Sequence, residues 1–206
     1  MPKRLIRYAV VGCGHIAQVA VLPAFGNARR NSQLAAIVSG DPVKRDTLKQ
    51  KYEIPTAVDY AEYDALLKSG EIDAVYIALP NTLHAEYAER AARAGLHVLC
   101  EKPMAVTEAE CELMARTARE HKVKLMVAYR LHFERANLEA IEIARSGRIG
   151  EPRLFTSTFT MSVVPGNIRV RREMGGGVLY DIGIYCINAA RMLFRDEPIE
   201  AWAAAA

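Results

Sequence analysis

The chain has 206 residues, 51% of them hydrophobic and 25% charged, which is ordinary for a globular protein able to bury a sizeable core. Its net charge is only +3 and its basic residues are scattered, which argues against nucleic acid as the main partner. No apolar segment typical of a signal peptide follows the basic residues near the start, and no run approaches the length of a membrane span. The four cysteines show no metal-ligand spacing, so we expect reduced thiols in a cytoplasmic protein without a metal site.

Strand and helix patterns alternate over the first 127 residues. Apolar runs, several rich in β-branched residues, predict strands at residues 6–12, 34–39, 73–79, 97–100 and 124–128. Capping boxes at Asp59 with Glu62 and at Thr107 with Glu110 predict two helix starts, and Gly95 predicts a helix end. Repeated βα units of this length predict an α/β fold with a doubly wound parallel sheet of the Rossmann type.

A different pattern begins at residue 128. We expect a helix at about residues 133–146, an extended run at 153–163, a second helix ending near Phe194, and a further strand from Pro198. One strand and two helices cannot close a hydrophobic core. The sequence therefore predicts a first domain at residues 1–127, followed at 128–206 by the beginning of a truncated α+β domain.

A glycine-rich turn follows the first predicted strand and opens a helix. That context favours a dinucleotide-binding turn over the alternative, an ordinary connection between strand and helix. Gly12 permits the tight turn, Gly14 lets the main chain approach a pyrophosphate, and Ala17 still allows close packing of helix on strand. The amides at the helix N-terminus, around His15 and Ile16, then face the phosphates.

The end of the second predicted strand bears on the choice between NAD and NADP. NAD enzymes usually carry an acidic residue there, which accepts hydrogen bonds from the ribose. Here Ser39 and Gly40 end the strand and Lys44 follows about one helical turn later. A hydroxyl and an ammonium group suit a 2′-phosphate, so NADP is favoured. Asp41 could instead serve NAD, and Asp41 and Lys44 could also be a helix cap and a solvated residue.

Two further clusters suggest chemistry. Glu101-Lys102-Pro103 closes the fourth predicted strand, where α/β folds hold their ligands. Asp181 and Tyr185 are four residues apart, which puts them on one face of a helix. A hydroxyl that loses hydride needs a base for its proton, and an ammonium group such as that of Lys102 would make a nearby tyrosine a better base. The alternative is that Tyr185 is a core aromatic residue and Asp181 a helix-turn residue.

Five motifs follow one another along the chain. They are Gly12-x-Gly14-x-x-Ala17, Pro80-Asn81-x-x-His84, Glu101-Lys102-Pro103, Tyr129-Arg130 and Gly175-Gly-Gly-x-x-x-Asp181-x-Gly183-x-Tyr185. Together they resemble the glucose–fructose oxidoreductase superfamily, the Gfo/Idh/MocA group. Most of that superfamily has histidine where this chain has Tyr185. Tyrosine there, with Ser39 and Lys44, resembles the branch of glucose–fructose oxidoreductases and bacterial aldose oxidoreductases.

The resemblance implies an NADP-dependent sugar oxidoreductase with tightly bound cofactor, acting as a homodimer or homotetramer without nucleic acid or membrane. It implies that Lys102 orients cofactor and sugar, Asp181 holds the sugar and Tyr185 is the acid/base. Pro103 would follow a cis peptide bond. The cofactor site that it implies consists of Gly12, Gly14, His15, Ile16, Ser39, Gly40, Lys44, Leu79, Pro80, Asn81, His84, Glu101, Lys102 and Arg130.

Two alternatives remain within the superfamily: a dehydrogenase of dihydrodiols or inositols, and a non-catalytic NADP-binding regulator. The presence of Lys102, Asp181 and Tyr185 together speaks against the regulator. The chain also departs from the superfamily pattern. Ile168 stands where relatives often have tryptophan, and this chain contains only the beginning of the second domain, which in relatives lines the substrate site and builds the oligomer.

Overall fold

The computed structural model describes residues 4–204. Within this part of the chain, six parallel strands form one sheet in the order β3-β2-β1-β4-β5-β6. This order confirms the predicted doubly wound Rossmann sheet. From β1 to β3 each new strand is added on one side of β1, and from β4 to β6 on the other side, so the switch point of the sheet lies between β1 and β4. The strands are β1 (Ile6–Val11), β2 (Ser32–Val38), β3 (Thr56–Val58), β4 (Ala74–Ile77), β5 (His97–Cys100) and β6 (Leu125–Val127).

The sequence predicts five of these strands and misses β3. This strand has only three residues, all half-buried, and it pairs with β2 alone at the edge of the sheet. A run this short shows no recognisable period in sequence.

Helices cover both faces of the sheet. After β1 the chain forms a π-helical turn at Ala17–Val21, then the short helix α1 (Leu22–Ala24), then a 3₁₀ turn at Phe25–Asn27. Asp59 and Thr107 each form the predicted capping box, and Gly95 has the positive φ of +80° expected after a helix end. The α-helices are α1 (Leu22–Ala24), α2 (Pro42–Lys51), α3 (Tyr63–Lys68), α4 (His84–Arg93), α5 (Glu108–Glu120), α6 (Arg135–Arg145) and α7 (Ile184–Phe194).

The hydrophobic core lies on both sides of the sheet. Val10 and Ile37 are completely buried in a cluster with residues of α1 and α2. Their neighbours Val11 and Val38 point to the opposite face and are completely buried with residues of α3, α4 and α5. Successive residues of a strand point to opposite faces, so burial on both faces explains why β1 and β2 are nearly continuous apolar runs.

An ion-pair cluster holds the amino-terminal edge of the sheet. Asp73, which directly precedes β4, accepts hydrogen bonds from Nε and Nη2 of Arg7 at 2.9 and 2.8 Å, and from Arg4 at 2.7 Å. These contacts lower the pKa of Asp73 to about 2, chiefly through the hydrogen bond from the Arg7 side chain. The cluster therefore stabilises the pairing of β1 with β4 at the end opposite to the strands' carboxyl ends.

The described residues form two compact units. The first takes the residues up to Ala128 together with Glu173–Gly175, and the second takes Tyr129–Arg172 and the residues from Gly176 onward. In the second unit, α6 and α7 confirm the two predicted helices. The run at 153–163 forms no β-ladder with any residue from 4 to 204, and no strand follows Pro198 there. No helix among these residues is long and apolar enough to span a lipid bilayer.

Candidate cofactor and substrate site

The carboxyl ends of four neighbouring strands bring the predicted cofactor residues of the first unit to one edge of the sheet. Main-chain hydrogen bonds continue the ladder beyond the strand ends, from Gly12 N to Val38 O at 3.0 Å and from Glu101 N to Ile77 O at 2.9 Å. Ala78 N likewise donates to Val11 O at 2.8 Å. Gly12, Ser39, Leu79 and Glu101, which follow β1, β2, β4 and β5, therefore share this edge.

Gly12 is required by close packing of main chains. Its φ is +93°, and a Cβ at this position would lie 2.5 Å from the carbonyl oxygen of Ala78. Ala17 is completely buried against β1, so its small side chain permits the close approach of helix to strand that the sequence predicts. Burial raises the pKa of the Cys13 thiol to about 11, and its Sγ faces Val38 O at 3.8 Å. Cys13 thus helps to hold the turn against β2.

Gly14 differs from Gly12 because space, rather than packing, surrounds it. A Cβ at Gly14 would meet no protein atom within 4 Å, and His15 beside it is exposed. The open space lies at the amino end of the helix that begins here, where a pyrophosphate lies in dinucleotide-binding folds. The turn at residues 12–17 therefore fits a dinucleotide.

The end of β2 is fixed by a side chain of α2 that also contacts the residue directly after β3. Arg45 donates from Nη1 to the Ser39 carbonyl oxygen at 2.8 Å and to Asp59 Oδ2 at 2.9 Å. Ser39 is 5% exposed and its Oγ accepts from the Asp41 amide at 3.3 Å, which leaves the hydroxyl hydrogen for another acceptor. The sequence shows the position of Arg45 but not its role, because Asp59 lies 14 residues away.

Asp41 is the N-cap of α2. Its Oδ1 accepts from the Lys44 amide at 3.0 Å, and its Oδ2 lies 3.4 Å from Lys44 Nζ. The hydrogen bond from the Lys44 amide is the main reason why the pKa of Asp41 is lowered. The capping alternative is therefore correct for Asp41, and its carboxylate partly neutralises the Lys44 ammonium group.

The loops after β4 and β5 carry the second part of the site. Glu101 Oε1 accepts from the hydroxyl of Tyr76 at 2.7 Å, and Glu101 Oε2 accepts from the Lys102 amide at 3.3 Å. Lys102 is half-buried, and the peptide bond between Lys102 and Pro103 is cis, as predicted. Tyr76 is not found from the sequence, because only the pairing of β4 with β5 brings it beside Glu101.

His84 and Asn81 connect these loops to other main chain. His84 has no exposed surface, and its Nδ1 and Nε2 lie 2.8 Å from Pro103 O and 3.0 Å from Leu79 O. All of its polar atoms thus face the protein, so a direct contact between His84 and a cofactor stays a prediction. Asn81 Nδ2 donates to Gly175 O at 2.8 Å, and a Cβ at Gly175 would lie 2.8 Å from Val106.

In the second unit, an arginine forms an ion pair with the predicted sugar-binding carboxylate. Asp181 lies in a π-helical turn at Leu179–Gly183 that continues into α7, and its Oδ2 is 2.9 Å from Nε of Arg169. Arg169 lies in a 3₁₀ turn at Ile168–Val170, against which Gly176 packs closely. A Cβ at Gly176 would lie 2.5–2.7 Å from three carbonyl oxygens, one of which belongs to Arg169.

Tyr185 lies in the first turn of α7 among aromatic side chains of the same unit. Its ring centroid is 6.5 Å from that of Tyr129, edge to face, and 5.6 Å from that of Phe159. Arg130 follows Tyr129 at the start of a 3₁₀ turn and is exposed. The pairing of Lys102 with Tyr185 and the cofactor contact of Arg130 stay predictions.

Comparison with known proteins covers both units. Residues 6–129 match the model of an oxidoreductase family with an NAD-binding Rossmann fold, and residues 137–206 match that of the GFO/IDH/MocA C-terminal domain. A dTDP-3,4-didehydro-2,6-dideoxy-alpha-D-glucose 3-reductase from Actinomadura kijaniata is 38% identical over 90% of this chain and 55% of its own length. An NADP(+)-dependent D-xylose 1-dehydrogenase from Haloarcula marismortui is 34% identical over 94% of this chain and 56% of its own.

A similar solved structure is that of aldose-aldose oxidoreductase from Caulobacter crescentus, complexed with glycerol. It is 40% identical in sequence and has a TM-score of 0.85, over 95% of this chain and 59% of the other. The chain thus spans less than two thirds of the length of each of these relatives.

Proposed function

The chain belongs to the Gfo/Idh/MocA oxidoreductase family, and from this membership we propose that its protein is an NADP-dependent sugar oxidoreductase. When bound, NADP would supply the nicotinamide ring that exchanges hydride with C1 of an aldose, which gives a lactone. A second sugar or another carbonyl compound would reoxidise the cofactor in place. The residues of this chain would bind and orient both molecules and move the proton.

The observation that carries the proposal is the alignment of strand ends around the point where the sheet order reverses. The open space at Gly14 and the half-buried Lys102 both belong to this edge, after β1 and β5, the two strands that flank β4. Ligands of doubly wound folds bind in the crevice outside these strand ends. A dinucleotide that starts at Gly14 would extend along the same edge toward Lys102.

The preference for NADP rests on the groups after β2. The buried Ser39 has a hydroxyl hydrogen to donate, and the Lys44 ammonium group needs only to exchange the Asp41 carboxylate for a 2′-phosphate. A phosphate carries more negative charge and more acceptor oxygens than a carboxylate, which favours that exchange. Asp41 itself caps α2, which favours a structural role over binding the ribose of NAD. The name of the xylose dehydrogenase relative supports NADP as well.

We propose that Lys102, Asp181 and Tyr185 form the catalytic group. Tyr185 would take the proton from the sugar hydroxyl, and an ammonium group at Lys102 would favour the phenolate form needed for this step. Asp181 would hold the sugar through its hydroxyl groups, oriented by Arg169. A homo-oligomer in the cytoplasm, with no nucleic-acid or membrane partner, also remains part of the proposal.

A second candidate is reduction of a ketone on a nucleotide-linked sugar. The relative from Actinomadura kijaniata, which is named as a 3-reductase of a dTDP-sugar, is 38% identical to this chain, compared with 34% for the xylose dehydrogenase. Both reactions use the same cofactor, and the hydride and the proton move in opposite directions between the same kinds of groups, so the first unit does not distinguish them. A dehydrogenase of dihydrodiols or inositols and a non-catalytic regulator are the remaining alternatives.

Absorbance near 340 nm tests these candidates in the complete natural protein. Mixing with NADP+ and a panel of aldoses should produce NADPH, or a brief burst if the cofactor stays bound. Oxidation of NADPH by dTDP-linked keto sugars, without reaction of any aldose, would favour the ketoreductase. Binding of NADP without turnover on any sugar would favour the regulator and contradict the proposal.

A further inference from the structure

His84 is a polar residue in an unusual place. It is the first residue of α4, it has no exposed surface, and both of its ring nitrogens face main-chain carbonyl oxygens. A carbonyl oxygen only accepts hydrogen bonds, and a neutral imidazole has a single N–H. The neutral ring therefore satisfies one carbonyl only, whereas the charged ring could donate to both.

The surroundings of the ring act on its charge in opposite directions. Burial lowers the pKa of His84, whereas the carbonyl groups of Pro103 and Leu79 and the carboxylate of Glu101 favour the charged form. Neither form is as well accommodated as an apolar side chain would be in the core. Core packing therefore does not explain a histidine at this position. The explanation lies in the two main-chain segments that its ring nitrogens join.

The ring connects the two loops that carry the candidate site. Leu79 lies in the loop after β4, two residues before Asn81, and Pro103 directly follows Lys102. On the other side of Lys102, the carboxylate of Glu101 is held by the hydroxyl of Tyr76. The main chain on each side of Lys102 is thus anchored, by Tyr76 through Glu101 and by His84 through Pro103.

We propose that His84 is a positioning residue, which fixes the main chain of residues 101–104 against the loop after β4 and thereby sets the position of Lys102. This inference rests on the proposed function, because Lys102 matters for turnover only if it takes part in the reaction. His84 itself would touch neither cofactor nor sugar. Its loss should therefore affect turnover more than cofactor binding.

The test uses the complete natural protein with three variants. His84→Phe keeps a planar ring and removes both donors, while His84→Gln keeps an amide donor. Tyr63→Phe is the matched control, since Tyr63 is also completely buried and its hydroxyl donates to Tyr87 O at 3.0 Å, between α3 and α4. The measurements are kcat at saturating NADP and sugar, the Kd for NADP, and hydrogen exchange of the segment 101–104, in which residues 101, 102 and 104 carry an amide hydrogen.

His84→Phe should lower kcat by about tenfold or more, since small displacements of a catalytic group have large effects on rate. The Kd for NADP should change by no more than about threefold, since the ring has no exposed surface and both of its nitrogens face main-chain oxygens. Exchange at residues 101–104 should become faster, His84→Gln should recover part of kcat, and Tyr63→Phe should lower stability without either effect.

Two results would overturn the inference. One is exchange at residues 101–104 that is unchanged in His84→Phe, and the other is a kcat in His84→Phe that falls no further than in Tyr63→Phe. An unmodified protein that turns over no sugar would overturn the proposed function instead. The exchange comparison would then still decide whether His84 fixes the segment that contains Lys102.

Discussion

Single replacements of Gly12 and Gly14 by alanine should separate the structural part of the dinucleotide turn from its binding part. In Gly12→Ala, the new Cβ would lie 2.5 Å from the Ala78 carbonyl oxygen at a φ of +93°. The positive φ costs about 1–2 kcal/mol, and an extra carbon in close-packed surroundings costs about 1–3 kcal/mol. The free energy of unfolding should therefore fall by about 2–5 kcal/mol, a large part of the stability of a typical domain.

Gly14→Ala is the matched comparison, because its Cβ would meet no protein atom within 4 Å. The free energy of unfolding should change by less than about 0.5 kcal/mol. NADP binding should weaken by about tenfold or more, since the methyl group would occupy space meant for the pyrophosphate. Urea denaturation and calorimetric titration with NADP measure the two effects. A Gly12→Ala protein as stable as the wild type, or a Gly14→Ala protein with unchanged NADP affinity, would refute this reasoning.

Two further predictions concern opposite ends of the sheet. Lys44→Ala should weaken NADP binding by about 1–2 kcal/mol and leave NAD binding nearly unchanged. Calorimetry measures both affinities, and Lys49→Ala, at an exposed residue of the same helix, is the control. Equal losses of affinity for both cofactors would contradict this prediction. Asp73→Asn should lower stability at pH 7 by about 1–2 kcal/mol, because the pKa of Asp73 falls from 3.8 to about 2 on folding and its partners are partly exposed. A carboxylate with a lowered pKa stabilises the fold above about pH 4 and loses this effect toward pH 2. The difference in free energy of unfolding between the wild type and Asp73→Asn, measured by urea denaturation, should therefore shrink from pH 7 to pH 3. A difference that stays constant would argue against this role of Asp73.

Strand ends could be predicted from the sequence where long apolar runs stop. The runs that end at Gly12 and Ser39 are buried on both faces, and parallel pairing brings their ends and that of the run before Glu101 together without any detail of side-chain contacts. β3 could not be predicted, because three half-buried residues at an edge give no period. The run at 153–163 alternates only in part, and without a neighbouring strand in the described residues it forms no ladder.

Contacts between side chains that lie far apart in sequence could not be predicted either. Arg45 with Asp59, Tyr76 with Glu101, and His84 with Pro103 join residues 14 to 25 positions apart, and only the strand order makes them neighbours. The motif with Asn81 and His84 suggested cofactor contacts for both residues. In the structure, the Asn81 amide donates to Gly175 O and both ring nitrogens of His84 face main-chain oxygens, so the cofactor contacts of both residues stay predictions.

Turnover by a Lys102→Met variant of the complete natural protein tests the central claim most directly. If Lys102 favours the phenolate of Tyr185 and orients the sugar, the variant should bind NADP and remain folded, while the rate of NADPH formation should fall by about 100-fold or more. Tyr185→Phe should lose a similar factor, and the double variant should be little worse than either single one, because the two groups act as a unit. Near-normal turnover in Lys102→Met would show that the lysine is only structural and would contradict the account.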